Sequence, residues 1–133
     1  MKKEDVVNRL LKMLLSMHYH KDFEKEILDI ILGKSGFEED IFCDIMTQFK
    51  MLNRLKNNIN QYNSNEILKK SGGLYSLHMK KGTKYNIRIL IKFKNSIPYL
   101  LCAFEEDGKK RKDGAGYKKN IEAANKRFVS MDK

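Results

Sequence analysis

Proline occurs once in this chain, at Pro98, and cysteine twice, at Cys43 and Cys102. With a single proline there is no Pro-rich linker, and neither an internal repeat nor a long low-complexity segment interrupts the sequence. The cysteines lack CxxC spacing and have no histidine close in sequence, so neither a zinc site nor a redox motif is signalled. Both read as buried free thiols of a reducing cytoplasm. No apolar run approaches the roughly 18 residues of a membrane-spanning helix. The opening Met1-Lys2-Lys3-Glu4-Asp5 carries acids and leads into an amphipathic segment, so a cleaved signal peptide is not expected. Several reaction types have no motif here: there is no GxxxxGK[ST] phosphate loop, no GxSxG elbow, no HExxH, and no GxGxxG opening a helix after a strand.

Acidic side chains are scarce in one half of the chain. Residues 1–73 hold 12 basic and 11 acidic side chains, whereas residues 74–133 hold 15 and 6. The net charge of +10 and the pI near 9.6 therefore belong to the C-terminal part. A one-sided cationic field suits a protein that meets phosphates, an anionic membrane surface or an acidic protein partner. The 133 residues, 41% hydrophobic and 33% charged, are enough for one domain with its own core and too few for two ordinary ones.

Two alternating runs organise that half. Leu74-Tyr75-Ser76-Leu77-His78-Met79-Lys80 and Tyr85-Asn86-Ile87-Arg88-Ile89-Leu90-Ile91-Lys92-Phe93-Lys94 flank Lys81-Gly82-Thr83-Lys84 and predict an antiparallel hairpin. Tyr85, Ile87, Ile89, Ile91 and Phe93 share a core face. The opposite face is expected to be mostly cationic and exposed, with His78, Lys80, Arg88 and Lys92 as neighbours. Ser96 to Phe104 reads as a third, buried strand with Pro98 near its start. Upstream, Glu4 to Met17 is an amphipathic helix with Val6, Val7, Leu10, Leu11, Leu14 and Leu15 on its stripe, and intradomain packing is the expected use of that stripe. Met17 to Phe23 reads as a short strand or a connector. His18 and His20 there lack an evident third ligand, so no metal site is expected. A helix runs from Asp22, taken as N-cap, to a stop at Gly33 and Gly36, and another from Ile41 through Ile59 and Tyr62. Downstream come a loop with three glycines and the basic run Lys109-Lys110-Arg111-Lys112, then a last helix from Tyr117 to Met131.

This set of groups suits metal-free attack on RNA. Such cleavage needs a general base for the 2′-hydroxyl, cations for the charge building on the phosphate, and a general acid for the departing 5′-oxygen. His78 is the candidate for proton transfer and Arg88 for bracing the phosphate. Lys80, Lys92 and the run Lys109, Lys110, Arg111 and Lys112 are candidates for holding the RNA backbone. Tyr117 is a candidate proton donor or base-stacking ring. No cofactor is expected.

The pattern from Leu74 to Ile91, the apolar third strand ending at Phe104, the Lys/Arg-rich loop and Tyr117-Lys118-Lys119-Asn120-Ile121-Glu122-Ala123-Ala124-Asn125-Lys126-Arg127 together resemble the RelE/ParE/HigB superfamily of bacterial toxins. The likeness covers residues 66–131 well. Residues 17–31 and 38–62 look more loosely like the family's first strand and first two helices, and residues 1–16 look like an added N-terminal helix on a single toxin domain. The resemblance implies a small α+β domain, with a twisted antiparallel sheet of three to four strands, N-terminal helices packed on one face and a C-terminal helix. It implies an RNA site on the concave other face. It further implies a cytoplasmic toxin held by a cognate antitoxin, and an endoribonuclease that cuts mRNA on the ribosome by 2′-hydroxyl attack. In that branch a Lys or His stands at the place of His78, an Arg at that of Arg88 and often a Tyr at that of Tyr117. Ser76 departs from relatives with a second basic residue there. Two alternatives stay open: a ParE-like inhibitor of DNA gyrase, and a basic nucleic-acid-binding module without catalysis.

Overall fold

The computed structural model describes residues 2–33, 36–55, 68–71, 73–106 and 115–131. The elements follow in the order α1 (Lys3–Leu14), β1 (His18–Tyr19), α2 (Lys21–Gly33), α3 (Glu38–Leu55), β2 (Leu68–Ser71), β3 (Leu74–Lys81), β4 (Tyr85–Lys94), β5 (Ile97–Glu105) and α4 (Ala115–Met131). The α+β class is the expected one. Four strands, β2 to β5, pair antiparallel, and the two-residue β1 adds a parallel edge to β5, giving the order β1-β5-β4-β3-β2. The continuation of the third helix through Ile59 and Tyr62 lies outside the described residues. Among the described residues no helix is long and apolar enough to cross a membrane.

Local chemistry sets the hairpins. Gly82 takes φ +53°, a left-handed value that suits glycine, and the turn closes with Lys84 N–H donating to Lys81 O at 2.9 Å. Between β4 and β5 only Asn95 and Ser96 intervene, both at positive φ (52° and 67°). That is the mirror-image turn whose twist matches a two-residue hairpin, and asparagine tolerates it.

The alternation in β3 and β4 then sorts side chains to two faces. On the first face Leu77, Met79, Ile87, Ile89, Ile91 and Leu100 meet Phe23, Ile27 and Ile31 of α2, Ile41, Ile45, Phe49 and Leu52 of α3, and Val6, Leu10 and Leu14 of α1. Each such side chain, fully buried, contributes about 1.5–3 kcal/mol. Of the expected α1 stripe, Val6, Leu10 and Leu14, at i, i+4 and i+8, are spent inside the domain, whereas Leu15 falls on the outer side and stays 83% exposed.

The second face differs from the exposed cationic surface expected of it. Leu74, Ser76, Leu90, Leu101 and Cys102 are buried there, and α4 lies across them with Ala124 at its centre and Ile121 and Phe128 beside it. A bulge makes this possible. Leu90 pairs with Cys102 but Ile91 pairs with Leu100, so Leu101 has no partner in register. With this extra residue, Leu101 and Cys102, neighbours in sequence, both serve the second core, while Leu100 and Ala103 serve the first.

An ion pair ties the two layers together around the β5 edge. Arg127 of α4 donates through Nη1 and Nη2 to Glu26 Oε1 and Oε2 of α2, both at 2.8 Å, and through Nη1 to Leu101 O at 2.8 Å. Glu26 Oε1 also accepts from Ala103 N–H at 3.1 Å. The pair thereby satisfies a carbonyl and an N–H of β5 beyond the reach of the short β1. The Glu26 carboxylate in turn raises the Arg127 pKa above its ordinary value by its hydrogen bonds.

Candidate functional site

Next to the residues packed under α4, the second face carries polar side chains on β3, on β4 and just past the end of β5. His78 of β3 and Arg88 of β4 are directly opposed in register, and Lys80 is opposed to Asn86. His78 Nε2 is hydrogen-bonded to Asn86 Oδ1. With an amide oxygen facing it, Nε2 is the donor, and the neutral ring then carries its lone pair on Nδ1. Arg88 Nε donates to Glu106 Oε2 at 2.8 Å, and Arg88 Nη1 donates to Ser76 Oγ at 3.4 Å. The Arg88 and Glu106 side chains are 16% and 29% exposed, so this ion pair is only partly screened by water. Glu106 is itself anchored by its N–H donating to Asn86 O at 2.7 Å, one step past the end of β5.

Of the side chains proposed from the sequence, His78, Arg88 and Lys80 come together. Lys92 does not join them. It lies about 13 Å along β4 from Arg88, at about 3.3 Å per residue, with Leu90 buried beneath α4 in between. There Lys92 Nζ sits 4.6 Å from the centroid of the Phe128 ring, which meets Tyr99 edge-on, and Tyr99 stacks on His18. Lys109, Lys110, Arg111 and Lys112 lie outside the described residues. Tyr117 falls in the first turn of α4, and its side chain is likewise outside the described set. The run of that helix is fixed by two contacts: Cys102 Sγ reaches Asn120 O at 3.6 Å, and Tyr99 meets Phe128. Eight helical residues, about 12 Å, therefore span three strand residues, about 10 Å, in the opposite direction. The start of α4 is consequently directed toward the Phe104 and Arg88 end of the sheet.

Three residues escaped the sequence reading. Ser76, read there only for the basic residue it replaces, is fully buried and lies under the Arg88 guanidinium. Asn86 shares a face with Arg88 by simple alternation, and that placement was available as a signal. Glu106 had none, because its role depends on β5 running in register to the level of Arg88.

Other side chains correct earlier expectations. Cys43 is exposed, since it sits on the outer side of α3, whereas Cys102 is buried and its thiol pKa is pushed up to about 12 by that burial. The acceptor at the start of α2 is His20 and not Asp22: His20 Nδ1 accepts from Asp22 N–H at 3.1 Å. That bond needs an unprotonated Nδ1, and the His20 pKa is lowered, first by burial and then by Arg127. Tyr85 occupies the first core with its hydroxyl donating to Asp44, and burial together with that bond raises its pKa well above the ordinary value. Among the described residues no three His, Cys, Asp or Glu side chains converge as metal ligands.

Searches with this chain found no matching family model, no matching curated protein and no matching solved structure.

Proposed function

We propose that this protein is the toxin of a toxin–antitoxin pair, a metal-independent endoribonuclease that cleaves mRNA on the ribosome in the cytoplasm. The observation that carries the reading is the His78–Arg88 pair, opposed on adjacent strands, with the ring held by Asn86 and the guanidinium by Glu106 and Ser76. In this reading the 2′-oxygen attacks phosphorus, the P–O5′ bond breaks, and a 2′,3′-cyclic phosphate and a 5′-hydroxyl result. Nδ1 of His78 takes the 2′-proton while water protonates the departing 5′-oxygen or, when protonated, supplies that proton while water takes the 2′-proton. Arg88 balances the extra negative charge of the pentavalent phosphorus. Lys80, exposed beside Asn86, meets a neighbouring phosphate. The family resemblance of residues 66–131 supports the same assignment and supplies the antitoxin. The ion pair of Arg88 with Glu106 favours a second reading, in which the arginine is structural and the protein acts by binding alone, on gyrase or on nucleic acid.

Expression from a tightly controlled promoter, wild type against Arg88→Ala, separates the readings when growth and mRNA 5′ ends are followed together. Growth arrest with new in-frame mRNA ends, abolished by Arg88→Ala in a protein that stays folded, is the expected result. Arrest with DNA damage and intact mRNA would assign the protein to the gyrase inhibitors. Growth without arrest would sink the toxin assignment.

A further inference from the structure

On the opposite side of the sheet from His78 and Arg88, the outer surfaces of α1 and α3 enclose a groove made of two adjoining depressions of about 290 and 310 Å³ that share Arg9 and Met46. Its apolar lining includes Phe42, Met13 and Met46, and the exposed Cys43 thiol opens into it. Arg9, Lys12 and Lys50 stand on its rim, all exposed, and among the described residues no carboxylate lines it. Among the described residues none of these three cations has an ion-pair or hydrogen-bond partner, although Asp5 lies one turn from Arg9. The N-terminal half of the chain is nearly neutral, so this is a local concentration of unneutralised charge around an apolar floor. Each depression is at the small end for a ligand pocket, about 300–1,000 Å³. Arg9 to Ser16 and Cys43 to Lys50 each run for about two helical turns, roughly 10 Å.

We infer that this groove docks an acidic amphipathic helix of a partner protein. Apolar side chains at i, i+3 or i+4, and i+7 of the partner fill the two depressions, and flanking Glu or Asp residues meet Arg9, Lys12 and Lys50. Methionine suits such a floor because its unbranched thioether adapts to different anchors. The rim charges supply the preference for an acidic helix over a basic one. The inference does not depend on the ribonuclease reading, because the groove shares no residue with that site.

The exposed Cys43 provides the test, since Cys102 is buried and reacts far more slowly in the folded chain. The probe is a helical peptide of about 18 residues with leucines at i, i+4 and i+7 and glutamates on both flanks, set against its lysine-for-glutamate counterpart. With the full chain, the acidic peptide is expected to slow N-ethylmaleimide modification of Cys43 at least about tenfold, an effect weakened by salt. The basic peptide is expected to leave the rate unchanged. Arg9→Glu with Lys50→Glu, both at exposed positions, is expected to reverse the preference at an unaltered urea midpoint. Equal protection by both peptides would overturn the inference. So would binding that leaves Cys43 reactive, the absence of binding at about millimolar peptide, or self-association of the chain that itself buries Cys43.

Discussion

Replacing Arg127 by alanine removes three contacts of 2.8 Å, two to Glu26 and one to Leu101 O. It also leaves the Glu26 carboxylate with Ala103 N–H as its neighbour on β5. Breaking a fully buried pair costs about 3–5 kcal/mol, and an exposed pair is worth about 0–1 kcal/mol. At side-chain exposures of 18% for Arg127 and 29% for Glu26, water can re-solvate part of the orphaned carboxylate. The expected loss is accordingly about 2–3 kcal/mol. Leu101 O sits on the bulge that turns Leu101 and Cys102 toward α4, so the loss should be concentrated in the docking of that helix. Urea unfolding measures the total. At roughly 3–5 °C per kcal/mol for a chain of this size, the melting temperature should fall by about 6–15 °C. A double-mutant cycle with Glu26→Gln should return a coupling of at least about 1.5 kcal/mol. The location is read from Cys102, whose thiol becomes reactive to a disulfide reagent when α4 lifts. A loss under about 0.5 kcal/mol, or additive effects of the two substitutions, would refute the view that this pair holds the two layers together.

The His20 cap makes stability depend on acid. Its folded pKa lies below the ordinary 6.5, so the unfolded chain takes up the proton first as pH falls below that value. The stability from an unprotonated His20 is complete above about pH 6.5 and drains away toward the lower folded pKa. His20→Asn keeps a capping acceptor without the titration and should flatten that slope in chemical denaturation measured from pH 7.5 to pH 5; an unchanged slope would remove His20 as its source. At the candidate site Glu106→Gln keeps an acceptor for Arg88 Nε while removing the carboxylate charge. Binding of a single-stranded RNA oligonucleotide should tighten about fivefold, the equivalent of about 1 kcal/mol, with the gain fading in high salt. Unchanged affinity would mean that Glu106 does not compete with phosphate for Arg88.

How far the sequence could be read depended on whether a residue's partner was local. Alternation within β3 and β4 sorted Leu77, Ile87 and Ile89 from His78 and Arg88 correctly, because period two is a property of the strand itself. The helical spacing from Val6 to Leu15 likewise located a packed stripe, and α1 does pack on α3 through Val6, Leu10 and Leu14, while Leu15 at the edge of that stripe is left exposed. The polar face of β4 misled for a physical reason. Leu90, among Asn86, Arg88 and Lys92, is one apolar residue in an otherwise polar alternation, and it marks where α4 crosses the sheet. That reading needs the bulge opposite Leu90, which alternation cannot supply. The exposure of Cys43 was missed because its flanking Ile41, Phe42 and Ile45 face inward while Cys43 itself falls on the solvent side of α3. Glu26 and Arg127, a hundred residues apart, could be joined only by the completed fold.

α4 covers only part of the second face, and this constrains how a partner could act there. Removing α4 would uncover Leu74, Leu90, Leu101 and Cys102, and would break the Arg127 contacts to Glu26 and Leu101 O. A partner that displaced the helix would have to bring a replacement of comparable apolar area and a cation for Glu26. Lys80 is exposed, and His78 and Arg88 are partly exposed, at the end of the sheet toward which the start of α4 is directed. At that end Glu106 is a carboxylate that a phosphate would have to displace from Arg88 Nε; its backbone N–H is fixed to Asn86 O and its side chain is 29% exposed. Rotation of that side chain would open Arg88 Nε to a phosphate without uncovering Leu74, Leu90, Leu101 or Cys102, a less costly step than displacement of α4.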